Sequence, residues 1–272
     1  MNMHDKEILL DLGSHSAKVY RKKEKIELID VVTWELLENK FERDIIERQL
    51  DTLLLPWIGK QNYRIKAIGT AAMRRNPIIA KEMQDICDSK GINYRVISQN
   101  EEAILIKKAI EDSEIPLDLD VLNVGGGSIQ ILTGISREKM LLNFGISDLN
   151  QLFKLTEEYE SRKIDECIEW VYNRLPSTLR KFAYTGGERT YIQHFGISLS
   201  NGYCSKDDFT LLAQSLAKKS LQDLTMSSPF DSNWMKGAIA SNCIVLAALK
   251  RSKSKDFFAS DLNIAHGFLN LV

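Results

Sequence analysis

Residues 121–134, VLNVGGGSIQILTG, run an apolar strand into three glycines and a serine, then leave along a second apolar strand. Tight hairpin turns call for residues that tolerate positive φ, and glycine does so without a Cβ. A turn stripped of side chains also exposes backbone N–H groups, and successive amides of this kind form nests for phosphate oxygens. One glycine hairpin would be unremarkable as a turn. Residues 8–20, ILLDLGSHSAKVY, repeat the pattern of strand, Gly/Ser turn and returning strand, and a third small-residue loop, YTGGE, lies at 184–188. Two such turns, one opening each half of the chain, imply duplicated lobes that clamp a chain of phosphates across a cleft.

Outward from these turns, the first segment (7–37) alternates apolar stretches with turn and charge signals and is expected to form three strands, the first hairpin turning at RKKEK. FERDIIERQLDTLLLPWIGKQ has apolar residues at helical spacing, and IKAIGT is a strand ending in a small-residue turn. PIIAKEMQDICDSKG is a helix with Pro77 near its start and Gly91 at its end. NYRVIS is a strand, and NEEAILIKKAIED is a helix opened by Asn100, with Glu101 and Glu102 in a first turn where acids suit the helix dipole. The acidic, proline-containing stretch EDSEIPLDLD separates this half from the next, placing a boundary between residues 1–114 and 115–272. The second half continues with a strand near MLLNFGIS, helices across DLNQLFKLTEEYE and SRKIDECIEWVYNRL, the strand KFAYTGG, and mostly helix as far as KGAIASNCIVLAALKRS.

With 272 residues, 44% hydrophobic and 27% charged, the chain can bury one large or two medium cores. A formal net charge of -1 gives no global attraction to nucleic acid or anionic membrane. No apolar run approaches the ~18 residues of a membrane span, and the N-terminus lacks a secretory core, so a cytoplasmic protein is expected. Cys87, Cys167, Cys204 and Cys243 are scattered without metal-ligand spacing, as are His4, His15, His194 and His266. They are read as structural, the cysteines as reduced core residues.

The segments DLGSHSAKVY (11–20), AIGTAAMRR (67–75), VISQNEEAILI (96–106), NVGGGSIQILTG (123–134), NFGISDLNQLF (143–153) and YTGGE occur in an order that resembles the Ppx/GppA phosphatases. These are exopolyphosphatases and guanosine pentaphosphate phosphohydrolases within the actin, Hsp70 and sugar-kinase superfold. The resemblance implies an α/β chain of two ribonuclease-H-like (actin-like ATPase) lobes with an interlobe cleft, the last helix being able to pack back on the first lobe. The C-terminal helical region that longer members use for long polyphosphate is not expected, the chain ending at AHGFLNLV.

Carried over position by position, the resemblance gives Asp11 a divalent cation, Mg2+, and has Gly13 and Ser14 present amides to phosphate. Thr70 and Arg74 would line the cleft mouth, with Arg74 a forked phosphate donor. Glu102 would be the general base. Gly125, Gly126, Gly127 and Ser128 would form the second phosphate nest, and Gly186 and Gly187 the loop near a nucleotide or the far end of the substrate. This chain departs from the family pattern in that both acids of the second turn are amides, Asn123 and Gln130. His15 stands where the first turn usually has Asn and is read as a turn residue touching solvent. Ala265 and His266 replace an Arg and a Glu. Magnesium prefers anionic oxygens, so its site is expected to be weakened.

The activity implied is a phosphoanhydride hydrolase that releases terminal phosphate from short polyphosphate or guanosine penta- or tetraphosphate by Glu102-assisted water attack with a divalent cation. The alternative is a catalytically reduced phosphate- or nucleotide-binding sensor that keeps the clamp. A small-molecule kinase of the same superfold is a third reading, although no acceptor-site motif is evident. No nucleic acid or membrane partner is expected, and a homodimer is left open.

Overall fold

The computed structural model describes residues 6–34, 36, 41–57, 63–156, 161–229 and 232–270, and His4 lies outside them. The first half folds as β1 (Lys6–Leu12), β2 (Ser16–Lys22), β3 (Ile26–Thr33), α1 (Arg43–Leu54), β4 (Tyr63–Gly69), α2 (Ala71–Arg75), α3 (Pro77–Ser89), β5 (Asn93–Val96) and α4 (Gln99–Glu111). The second half begins with β6 (Asp120–Val124), β7 (Ile129–Thr133), β8 (Glu138–Leu142), α5 (Ile146–Phe153), α6 (Ser161–Tyr172), β9 (Phe182–Thr185) and α7 (Glu188–His194). It ends with β10 (Tyr203–Ser205), α8 (Lys206–Leu216), α9 (Leu221–Met226), α10 (Ala238–Ser252), β11 (Asp256–Ala259) and α11 (Ile264–Leu269).

The two sheets repeat one topology. The first has the order β3-β2-β1-β4-β5, and the second has β10-β11-β9-β6-β7-β8. In each, an antiparallel three-stranded meander is extended by a strand parallel to its first member, β4 beside β1 and β9 beside β6. Parallel neighbours need a crossover, and helices supply it. The fold is therefore α/β with two ribonuclease-H-like lobes.

Burial explains how the lobes stay together. One core lies over the first sheet around Leu10, Leu50 and Met83, and a second fills the other lobe around Phe182, Phe209 and Ile244. The third joins Leu9 and Ile68 of the first sheet, Ile106 and Ile110 of α4, Val121 and Leu132 of the second sheet, and Ile264 and Leu269 of α11. α4 and α11 thus form the layer between the sheets. A Cβ on Gly267 would stand 1.9 Å from the Leu105 carbonyl oxygen, so glycine lets the two helices meet at backbone distance.

The local signals were partly displaced. RKKEK turns the second hairpin, between β2 and β3, while GSH at 13–15 turns the first. The small-residue stretch after β4 is the short helix α2 rather than a turn. Ser98, not Asn100, caps α4: its Oγ accepts from Glu101 N at 3.1 Å, and Glu101 Oε2 accepts from Ser98 N at 2.8 Å. This reciprocal box outcompetes Asn100, which lies inside the helix. β10 and β11 were not foreseen. All four cysteines are buried and unpaired, and among the described residues no helix is long and apolar enough to cross a membrane.

Candidate functional site

The two glycine turns face each other. Gly13 N–H bonds Ser16 O at 2.8 Å, and Gly125 N–H bonds Ser128 O at 3.0 Å, so each turn is closed in the same way. A Cβ on Gly126 would lie 2.9 Å from the backbone nitrogen of His15, which puts the two loops in contact. Both line one cavity of about 80 Å³, together with Asp11, Thr70, Glu102, Asn123, Gln130 and Gly186. Gly187 lines the adjoining cavities instead. Because Gly13 and Gly125 spend their N–H groups on turn closure, the amides left for a ligand are those of Ser14, Gly126 and Gly127. His15 is 8% exposed, its backbone and Cβ against Gly126 and its ring toward Gly237, and is not a turn residue touching solvent.

The second glycine loop is held from behind. Ile146 N donates to Gly125 O at 3.1 Å and Ser147 N to Gly126 O at 2.8 Å, both from the start of α5. A Cβ on Gly145 would come within 2.2 Å of Gly125 O, so only glycine allows that approach. Arg75, the neighbour of Arg74, crosses from α2 to bond Gly127 O, Asn143 O and both carboxylate oxygens of Asp148. With their carbonyls fixed, the glycine N–H groups are aimed without needing a ligand to order them.

Glu102 occupies the centre of the site. Consecutive helix positions point about 100° apart, so while Glu101 caps α4 at the surface, Glu102 turns inward and is only 4% exposed. Its Oε2 accepts from Arg74 Nη2 at 3.0 Å, Gln130 Nε2 at 2.7 Å and Ser128 Oγ at 3.3 Å. Oε1 has no protein donor among the described residues. Burial pushes the Glu102 carboxyl up to about 7, against the opposing pull of Arg74; nearby Asp11 adds to the rise. Burial likewise raises Asp11 to about 6, with Lys18 acting against it.

Arg74 stands behind Glu102 rather than on the cavity wall, with Nη1 bonded to Ile97 O at 2.9 Å and Nη2 also reaching Ser128 Oγ at 3.3 Å. Thr70 closes the end of β4, its N–H bonding Leu12 O at 3.2 Å. Thr185 is paired with Asn123 in the β6–β9 register and bonds Leu122 O at 3.4 Å.

Asn123 and Gln130 are directly opposite one another in the β6–β7 register, and their amides form a directional chain. Thr185 Oγ1 donates to Asn123 Oδ1 at 3.1 Å, Asn123 Nδ2 to Gln130 Oε1 at 2.6 Å, and Gln130 Nε2 to Glu102 Oε2 at 2.7 Å. Each amide accepts on one side and donates on the other, which a carboxylate cannot do without taking a proton. In the first lobe the equivalent opposed pair is Asp11 and Lys18. The sequence showed the amides as departures from the family pattern; their pairing follows only from the hairpin register. Lys18 and Thr185 were missed for the same reason.

The resemblance implies magnesium at Asp11. Magnesium takes hard, mostly anionic oxygens in octahedral order. Here the oxygens of Asn123 and Gln130 already accept hydrogen bonds, and Glu102 Oε2 holds three donors. Among the described residues there is no group of three or more His, Cys, Asp or Glu able to hold a metal. Asp11 and Glu102 Oε1 are the anionic oxygens that remain, and the Lys18 ammonium stands opposite Asp11 in the β1–β2 register, so the donor set is a poor fit for magnesium.

Known structures of the same architecture span nearly the whole chain. An exopolyphosphatase from Cytophaga hutchinsonii superposes with a TM-score of 0.78 at 15% identity, covering 97% of this chain and 96% of that one. The Aquifex aeolicus member of the Ppx/GppA family gives 0.66 at 16% identity, with the same coverage. An exopolyphosphatase-like protein gives 0.75 at 13% identity, covering 97% and 98%. At such identities the likeness is one of fold. No curated protein matches the sequence closely enough to count as a relative. Residues 11–224 match the model of the Ppx/GppA phosphatase family, and the chain belongs to that family.

Proposed function

We propose that this phosphatase-family chain hydrolyses a phosphoanhydride, releasing terminal phosphate from a short polyphosphate or from guanosine penta- or tetraphosphate. The observation that carries the reading is the state of Glu102. One carboxylate oxygen is held by three donors, the other is uncommitted, and the group stands on the wall of a cavity that both glycine loops share. A base poised at about 7 is matched to proton transfer near neutral pH.

Water attacks the terminal phosphorus in line with the leaving oxygen, and Glu102 Oε1 takes its proton. The free amides of Ser14, Gly126 and Gly127 receive the equatorial oxygens. Arg74, Ser128 and Gln130 orient the base. The leaving phosphate chain departs along the cleft beside Gly186. Phosphate release from tripolyphosphate and from guanosine pentaphosphate, compared between the parent and Glu102→Gln, tests this. The expected outcome is a loss of about a hundredfold or more in kcat for the variant; equal rates would remove Glu102 from the chemistry.

One observation favours the binding-only alternative. The base is already ion-paired to Arg74 at 3.0 Å, and the positions that carry acids in the family carry amides committed to internal bonds. A sensor would bind the same phosphate chains and turn over none of them, so the same assay separates the two readings.

A further inference from the structure

The wall of the cavity carries two carboxylates, Asp11 and Glu102, and Lys18 is the only lysine or arginine among the described residues on it. A phosphate chain brings several negative charges into this space. Something of opposite sign has to meet them, and the two residues of the second turn that carry acids in the family pattern are here amides bonded to each other and to Glu102.

Lys18 is placed for that task. It is directly opposite Asp11 in the β1–β2 register and lines this cavity as well as the two that adjoin it. Its ammonium forms no hydrogen bond or ion pair among the described residues. The duplicated hairpins carry an acid and a lysine at this pair of positions in one lobe and two neutral amides in the other. The amide pair consumes its own oxygens, and the lysine would repel a divalent cation seated at Asp11. An ammonium is a compact point charge with three donors and no geometric demand, well suited to neutralise phosphate oxygens beside backbone amides.

We infer that the cleft binds its phosphate chain without a divalent cation, with the Lys18 ammonium meeting the charge that a metal at Asp11 would otherwise neutralise. The inference rests on the reading of this cavity as a phosphate site, not on its being hydrolytic.

Calorimetric titration of the full chain with tripolyphosphate in excess EDTA tests it, alongside the electron paramagnetic resonance of added Mn2+. The parent is expected to bind in EDTA and to leave the Mn2+ signal unchanged. Lys18→Gln is expected to weaken binding about tenfold at an unaltered melting temperature, and Lys18→Arg to restore most of it. The double variant Asn123→Asp with Gln130→Glu, which supplies two acids, is expected to take up Mn2+. The inference is overturned if the parent binds tripolyphosphate only after Mg2+ is added, if the parent itself quenches the Mn2+ signal, or if Lys18→Gln binds as the parent does. Failure to bind under every condition would refute both the phosphate site and this inference. Binding in EDTA without turnover would refute the hydrolase reading alone.

Discussion

Replacing Gln130 by Glu changes the atom that matters most to Glu102. The Nε2 that donates to Glu102 Oε2 from 2.7 Å becomes an oxygen, while Asn123 Nδ2 keeps an acceptor in the other oxygen at position 130. Two ionised carboxylates ~3 Å apart repel by about 5 kcal/mol at an effective dielectric constant of ~20. That corresponds to about four pKa units, so the pair holds on to one shared proton well above neutrality. A carboxyl raised in the folded state contributes stability that is fully present below its unfolded pKa and is lost as pH rises toward the folded value. Up to about pH 7 the parent holds one proton here as well, on Glu102, so the variant should lose stability against the parent only above about pH 7, at about 1.4 kcal/mol per pH unit, reaching about 3 kcal/mol near pH 9. Urea denaturation of both proteins across this range gives the difference directly. Asp11, Glu188 and the other titrating groups are common to both and cancel. A difference that stays constant with pH would show that Gln130 does not serve Glu102 as a donor, and the amide chain would have to be abandoned.

Hydrolysis should rise with pH through about 7 as Glu102 loses its proton, read as the pH dependence of kcat/KM for phosphate release; a flat profile would contradict its role as base. Arg75→Ala removes the bonds to Gly127 O, Asn143 O and Asp148, and should cost about 1–3 kcal/mol in denaturation while raising KM more than it lowers kcat. An unchanged KM would mean that the glycine loop does not need this tether. Glu188 is buried beside Trp234, and burial raises its carboxyl to about 8. Its contribution is complete below about 4.5 and is lost up to about 8, so Glu188→Gln should gain on the parent by up to about 4–5 kcal/mol over that interval. Parallel stability curves would place the carboxyl in a wetter setting.

Much of this molecule was legible before any tertiary contact was known. The two strand–turn–strand units announced themselves through glycine and serine between apolar runs, because the backbone demands of a tight turn act within a few residues. Pro77 at the start of α3 and the acids opening α4 were legible on the same grounds, although the true cap, Ser98, was passed over for a near neighbour. The family resemblance then named Glu102, Asp11 and the glycine loops as one site. That assignment came from motif order, since nothing local tells a cleft-facing glutamate from one that serves the helix dipole.

Folding alone decided who meets whom. Lys18 faces Asp11, and Asn123 faces Gln130, only because each hairpin adopts a particular register, and a slip of one residue would turn all four side chains to the opposite face. Arg75 reaches Asp148 across 73 positions of sequence, and Thr185 reaches Asn123 across 62. Propensity and periodicity carry information over a turn of helix or a pair of strands. Hydrogen-bond partners, burial and the pKa shifts that burial produces are set by packing between segments far apart in the chain, so the glycine loops could be read from the residues, whereas the charge they surround could be read only from the assembled lobes.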